Sequence, residues 1–240
     1  MYARPLWVWP LLGLLILTAT VVTSHVRPPI SPVIRLLRFH DDFSSGKLDA
    51  WEFPHPEDWE ILADGPLHFL HMKRSREPAV PRRPVQFALL RKARVGSFDL
   101  TTKVRREGVA MMIVFNYVDD LHFYYAHLAE HPGTDKIMHN GIFIVDGEPR
   151  KRVPPLPERA ALPDKAWHSV RLHRDVPSGL IEVYVDGDRA PYFSTHDSTF
   201  TCGQIGLGSF DETGDFTDVD LASGDAGCSP GVTLRPASTK

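Results

Sequence analysis

Little in this chain could staple it or load it with metal. It has two cysteines, Cys202 and Cys228, too few for a disulfide scaffold and without metal-type spacing. Its histidines show no compact pair or triple beside a carboxylate of the kind zinc takes. The formal net charge of -3 excludes a strong bulk attraction to nucleic acid. No amphipathic helix pattern and no internal repeat follow the N-terminal segment, which leaves short strands to carry the fold.

What is present is a stretch of strands with unexpected polar content. Val109 to Arg150 reads as three strands, Val109 to Tyr117, Leu121 to Leu128 and Asn140 to Val145, with turns at Asp119-Asp120 and Asp146-Gly147. Asn116, His122, Tyr124, Tyr125, His127, His131, His139 and Asn140 sit among its apolar residues. A plain sandwich core does not require so many hydrogen-bonding side chains together.

Earlier in the chain, Arg4 precedes an apolar run from Leu6 to Val22, and small residues precede His25. Residues 1–24 therefore read as a signal peptide, with an uncleaved N-terminal membrane anchor as the alternative. The product is then secreted or periplasmic, or held at a membrane by that segment. Export makes a Cys202–Cys228 disulfide chemically possible, with two unpaired thiols the other option. Residues 25–38, with Pro28, Pro29 and Pro32, read as a linker, residues 39–222 as one domain, and residues 223–240 as a flexible tail.

Within the domain, Trp59 to Leu62 and Leu67 to Leu70 flank Asp64-Gly65 as a hairpin, and Pro78 to Pro84 is an irregular loop. Strands follow at Gln86 to Leu90, Gly96 to Val104, Trp167 to Arg174, Leu180 to Val185, Gly203 to Phe210 and Phe216 to Leu221. Lys151 to Pro163 reads as a proline-interrupted loop. The spacing predicts an all-β fold, a two-sheet antiparallel jelly-roll sandwich.

Three segments in order carry a resemblance: DDFSSGKLDAWEF, WHSVRLHRDVPSGLIEVYVDG and GQIGLGSFDETGDFTDVDL. Together they resemble the concanavalin A-like lectin/glucanase superfamily over Phe39 to Ala222. The nearest branch is the exported bacterial domains similar to glycoside hydrolase family 16, often called 3-keto-disaccharide hydrolases. The Glu-x-Asp-x-x-Glu strand motif of the family 16 glucanases does not occur here. A retaining mechanism needs two carboxyls about 5 Å apart, and Glu57-Asp58-Trp59-Glu60 and Asp211-Glu212 have the wrong spacing.

The resemblance implies a saccharide on the concave sheet. Aromatic rings suit sugar C–H faces, and amides and imidazoles suit hydroxyls. Strand alternation puts Phe123, Tyr125 and His127 on one face and His122, Tyr124 and Ala126 on the other. The expected carbohydrate contacts are Tyr125 and His127, with Asn116, His139, Asn140 and Arg171. The competing reading has a tyrosine filling the core and the histidines capping loops.

Tyr125 and His127 are also candidate proton-transfer groups, as in jelly-roll lyases acting beside a uronate. The basic run from Lys73 to Arg106 fits an anionic glycan, or else a loop and edge strand protected by charge. Asp42 and Asp218, near the first and last strands that pair in the superfamily, are the expected ligands of a structural calcium. Two functions stay open: an exported poly- or oligosaccharide-binding protein with or without glycan cleavage, and a non-catalytic lectin-like or cell-surface interaction module.

Overall fold

Alternation becomes strands almost everywhere it was read. A computed structural model describes residues 36–225 and Cys228. The strands in chain order begin with β1 (Leu37–Asp41), β2 (Trp51–Glu52), β3 (Trp59–Asp64), β4 (Leu67–Met72) and β5 (Gln86–Val95). They continue with β6 (Phe98–Arg106), β7 (Ala110–Asp119), β8 (His122–Ala129), β9 (Gly141–Asp146) and β10 (Lys151–Val153). The last five are β11 (His168–Asp175), β12 (Leu180–Val185), β13 (Phe193–His196), β14 (Gly203–Ser209) and β15 (Gly214–Ser223). One 3-10 turn, Pro56–Asp58, accompanies them.

The strands form two antiparallel sheets. An eight-stranded sheet runs β13-β12-β11-β6-β15-β4-β3, with β1 also paired to β15. A seven-stranded sheet runs β10-β9-β8-β7-β14-β5-β2. Their facing sides enclose the main core, which includes Trp51, Leu100, Phe115, Tyr124, Leu172 and Phe216. The jelly-roll sandwich expected from the sequence is the fold observed.

The outer faces of the two sheets differ. In β6 and β11 burial alternates residue by residue, so the eight-stranded sheet has one face in solvent. In β7, β8 and β9 burial is nearly continuous, so the seven-stranded sheet is covered on both faces. A second apolar cluster of Phe87, Met112, Val114, Phe123, Tyr125, Phe143 and Phe210 lies on that outer face.

A bulge interrupts the β7–β8 and β7–β14 pairings near Asn116, whose φ is 45°. Gly203 lies against it: a Cβ there would sit 2.2 Å from the Asn116 carbonyl carbon, closer than any side chain allows. Asn116 Nδ2 donates to the Val95 and Gly96 carbonyls, and its Oδ1 accepts from Arg174 Nε at 3.3 Å. Fully buried Arg174 also donates to the carbonyls of Gly179, Leu180 and Phe200. This network ties the sheets together through the core.

Several boundaries move, and β13 is a strand the sequence did not show. Leu37 and Arg38, read as linker, already belong to β1, where Leu37 pairs with Ser223. Lys151–Val153, read as loop, pairs with β9 as an edge strand too short to show a period. Ser223, read as the start of the tail, closes β15. Cys202 and Cys228 are disulfide-bonded. The expected signal peptide or anchor and most of the expected linker and tail lie outside the described residues.

Candidate functional site

The period-2 reading puts Tyr125 and His127 on one side of β8, and they share the side that faces away from the main core. Tyr125 aligns with Val114 of β7 and Phe143 of β9, and His127 with Met112 and Gly141. Tyr125 stacks on Phe143 with ring centroids 5.3 Å apart. Neither residue is open to solvent: Tyr125 is 0 % and His127 3 % exposed.

A second layer covers them. Phe210, just past β14, lies 6.4 Å from Tyr125 and 6.1 Å from His127, centroid to centroid. The Arg150 guanidinium sits 3.7 Å from the Phe210 centroid and 5.0 Å from that of Phe143, and donates to the Tyr125 hydroxyl at 2.9 Å. The Arg150 amide donates to the Arg82 carbonyl at 2.9 Å, so the proline- and arginine-rich loop between β4 and β5 reaches this layer. We call that loop, residues 73–85, the roof. Arg82 itself packs 5.0 Å from Phe210, and an Ala79–Arg83 bridge closes the tip.

One buried carboxylate fixes the roof at both ends. Asp58 accepts from Arg76 Nε and Nη2 and, at 2.9 Å, from Gln86 Nε2. The Lys73 amide donates to the Asp58 carbonyl. Burial raises the Asp58 carboxyl's affinity for a proton, but the bonds from Arg76 and Gln86 outweigh it and hold the group below the usual carboxylate range.

The other expected contacts are dispersed. His139 is half-buried and joins the cluster, its ring 5.7 Å from that of His127. Asn140 is fully buried: its Oδ1 accepts from the Ala129 amide, and its Nδ2 serves the Arg159 carbonyl and Tyr192. Asn116 belongs to the Arg174 network described above. Arg171 points into solvent from β11 of the other sheet, 4.2 Å over Tyr184 and 3.7 Å from Asp99. It lines a shallow trough of about 370 Å³ with Thr101, Ser169 and Asp188.

Nor does the basic run from Lys73 to Arg106 form one surface. Its strands go to different sheets, and its charges are largely spoken for. Arg76 binds Glu57 and Asp58, Lys103 binds Asp218, Arg105 binds Asp215, and Arg106 binds Glu130.

β1 does pair with β15, and Asp41 stands opposite Val219, which brings Asp42 to the level of Asp218. Yet Asp218 is neutralised by Lys103 at 2.8 Å, and Asp42 accepts from the Ser44 amide and hydroxyl. Calcium takes about six to eight oxygens. Among the described residues no group of three or more His, Cys, Asp or Glu is placed to hold a metal ion. The Asp42–Asp218 pair does not fit a calcium cage.

Sequence reading missed Arg150, Phe143 and Phe210, which do most to shape the cluster. Burial pushes the Tyr125 phenol up, against the pull of Arg150. His127 is held well below the usual imidazole range by burial, then by Arg150, His139 and Arg152. His139 is lowered by burial and Arg150, and Arg152 falls to about 10 through burial. A weakly acidic phenol beside a weakly basic imidazole is poorly matched to exchanging protons at neutral pH.

Comparison with solved structures settles the architecture. The carbohydrate-binding module CBM66 from Bacillus subtilis superposes with a TM-score of 0.53 at 16% identity, covering 72% of this chain and 96% of that one. The fold is concanavalin A-like. The same jelly roll recurs in a protein from Parabacteroides distasonis provisionally assigned as a glycosyl hydrolase (TM-score 0.52, 13% identity, 79% and 99% of the two chains). It recurs again in a mutant of the GH43 protein BlXynB from Bacillus licheniformis (TM-score 0.55, 13% identity), covering 77% of this chain and 39% of that one. No family model and no curated protein matches the chain.

Proposed function

We propose that this chain is an exported carbohydrate-binding jelly roll that takes a poly- or oligosaccharide at the roofed cluster around Tyr125, His127 and Arg150. One observation carries the reading. His127 Nδ1, His139 Nδ1 and Arg150 Nε are buried there without a hydrogen-bond partner. An unmet buried polar atom costs about 1–3 kcal/mol, and a hydroxyl-rich ligand beside aromatic rings answers that need. A similar jelly roll is, by its name, a carbohydrate-binding module, which supports the same reading.

An anionic sugar is part of this proposal, and so is export. The Cys202–Cys228 bond supports an oxidising compartment, secreted or periplasmic. Anchoring by an uncleaved N-terminal segment is the alternative arrangement. The kinship to family 16-like or 3-keto-disaccharide hydrolase domains stays within the proposal as well.

Binding without turnover is favoured over cleavage, because neither Tyr125 nor His127 is hydrogen-bonded to a carboxylate among the described residues. A glycan array followed by product analysis tests this. The expected result is retention of a saccharide, weakened at least about tenfold by Tyr125→Phe or His127→Ala in variants that still melt cooperatively. Released product would convert the reading to an enzyme. No retained saccharide would overturn it.

A further inference from the structure

Arg150 is treated differently from the other two buried arginines, Arg106 and Arg174, and from half-buried Arg152. Arg106 binds Glu130 and the carbonyls of Gly108, Leu162 and Pro163. Arg174 serves three carbonyls and Asn116. Arg152 spends its guanidinium on the carbonyls of Ile137, His139 and Asn140. Arg150 is 6 % exposed, yet its guanidinium donates only to the Tyr125 hydroxyl and the Met138 carbonyl. A guanidinium has five N–H donors, and Arg150 Nε is left buried and unmet.

Its charge is also unanswered. Among the described residues no carboxylate forms an ion pair with Arg150, Arg152 or Arg82, whereas Arg76, Arg105 and Arg106 are each paired. Burying a cation without a counter-charge is costly, and proteins normally pair it. Beside Arg150 the His127 and His139 rings, 5.7 Å apart, each carry an unmet buried Nδ1. Asp211 is the acid whose field reaches His139.

We infer that Arg150, flanked by His127 and His139, is the seat of an anionic group carried by a sugar, a carboxylate or a sulfate. Its oxygens accept from Arg150 Nε and from the imidazole N–H groups, charge-assisted bonds about twice as strong as neutral ones. The group enters beside His139, the half-exposed member, where Ile137 and Met138 are exposed. This inference rests on the saccharide reading and sharpens it: the neutral part of the ligand lies outside, and the anion is read inside.

The test titrates the full mature protein with an oligoglucuronate, its neutral methyl ester, a sulfated oligosaccharide and inorganic sulfate. Calorimetry gives affinity, and imidazole ¹⁵N resonances of the unmutated protein report His127 and His139 directly. The expected result is at least about tenfold tighter binding of an acidic sugar, carboxylated or sulfated, than of the ester, with both Nδ1 resonances moving. Arg150→Lys should keep part of that preference and Arg150→Met erase it. Equal binding of acid and ester with unmoved resonances overturns the anion seat and leaves the saccharide reading standing. Sulfate bound at Arg150 with no sugar bound supports the seat and removes the saccharide reading. If none of the four binds, both fall.

Discussion

Asp58 closes the base of the roof, and removing its main partner should loosen the roof measurably. In Arg76→Met the carboxylate, with 0 % of its side chain exposed, loses two hydrogen bonds and its nearest cation. Breaking a buried pair on one side costs about 3–5 kcal/mol. Gln86 remains bonded and Arg74 stands 3.8 Å away, so the lower end applies. For a domain of this size about 3 kcal/mol corresponds to a fall in melting temperature of roughly 6–12 °C. Amide exchange at Ala79, Val80, Arg82 and Arg83 should accelerate before the sheets open.

A double replacement, Asp58→Leu with Arg76→Met, should recover most of the loss, because it leaves no buried charge. The acid side gives an independent check. The Asp58 carboxyl is held below its unfolded value of about 3.9. Its contribution is therefore present above that pH and disappears as pH falls through the lower folded value. The gap between wild type and Arg76→Met should close over the same range. A variant melting within about 2 °C of wild type, with roof amides equally protected, would refute the account of Asp58 as the clamp.

Three further outcomes follow from the same structure. Tyr124→Phe removes an acceptor for the Thr199 and Phe200 amides and a donor to Asp197, and should cost about 1–3 kcal/mol in denaturant titration. Reducing Cys202–Cys228, which are 26 residues apart, should cost about 3–4 kcal/mol by loop entropy, read as a lower melting temperature in reductant. Because Asp218 is paired to Lys103, calcium and chelator should leave the melting temperature unchanged, and a calcium-dependent rise of several degrees would restore the Asp42–Asp218 site.

Most strands could be read because they alternate or end on a turn pair, β10 and β13 being too short to do so, and the same period put Tyr125 and His127 on one face. The cover over that face was less legible. It joins Arg82 to Arg150, far apart in sequence, and no local pattern records such a contact. The signal that was available is the unbroken apolar run of β7, which belongs to a strand covered on both sides. Asn116 and Asn140 looked like ligand groups, but both have positive φ, and their amides serve backbone that the irregular geometry leaves unpaired. The basic run failed as a patch because β5 and β6, adjacent in sequence, go to opposite sheets.

The pairing of β1 with β15 has a consequence for how the domain is carried. Leu37 stands opposite Ser223, so the chain enters and leaves the sandwich at neighbouring points on one sheet. The Cys202–Cys228 bond joins that exit to the residue before β14, so a pull on the C-terminal side is carried by a covalent bond into the seven-stranded sheet without first unzipping β15.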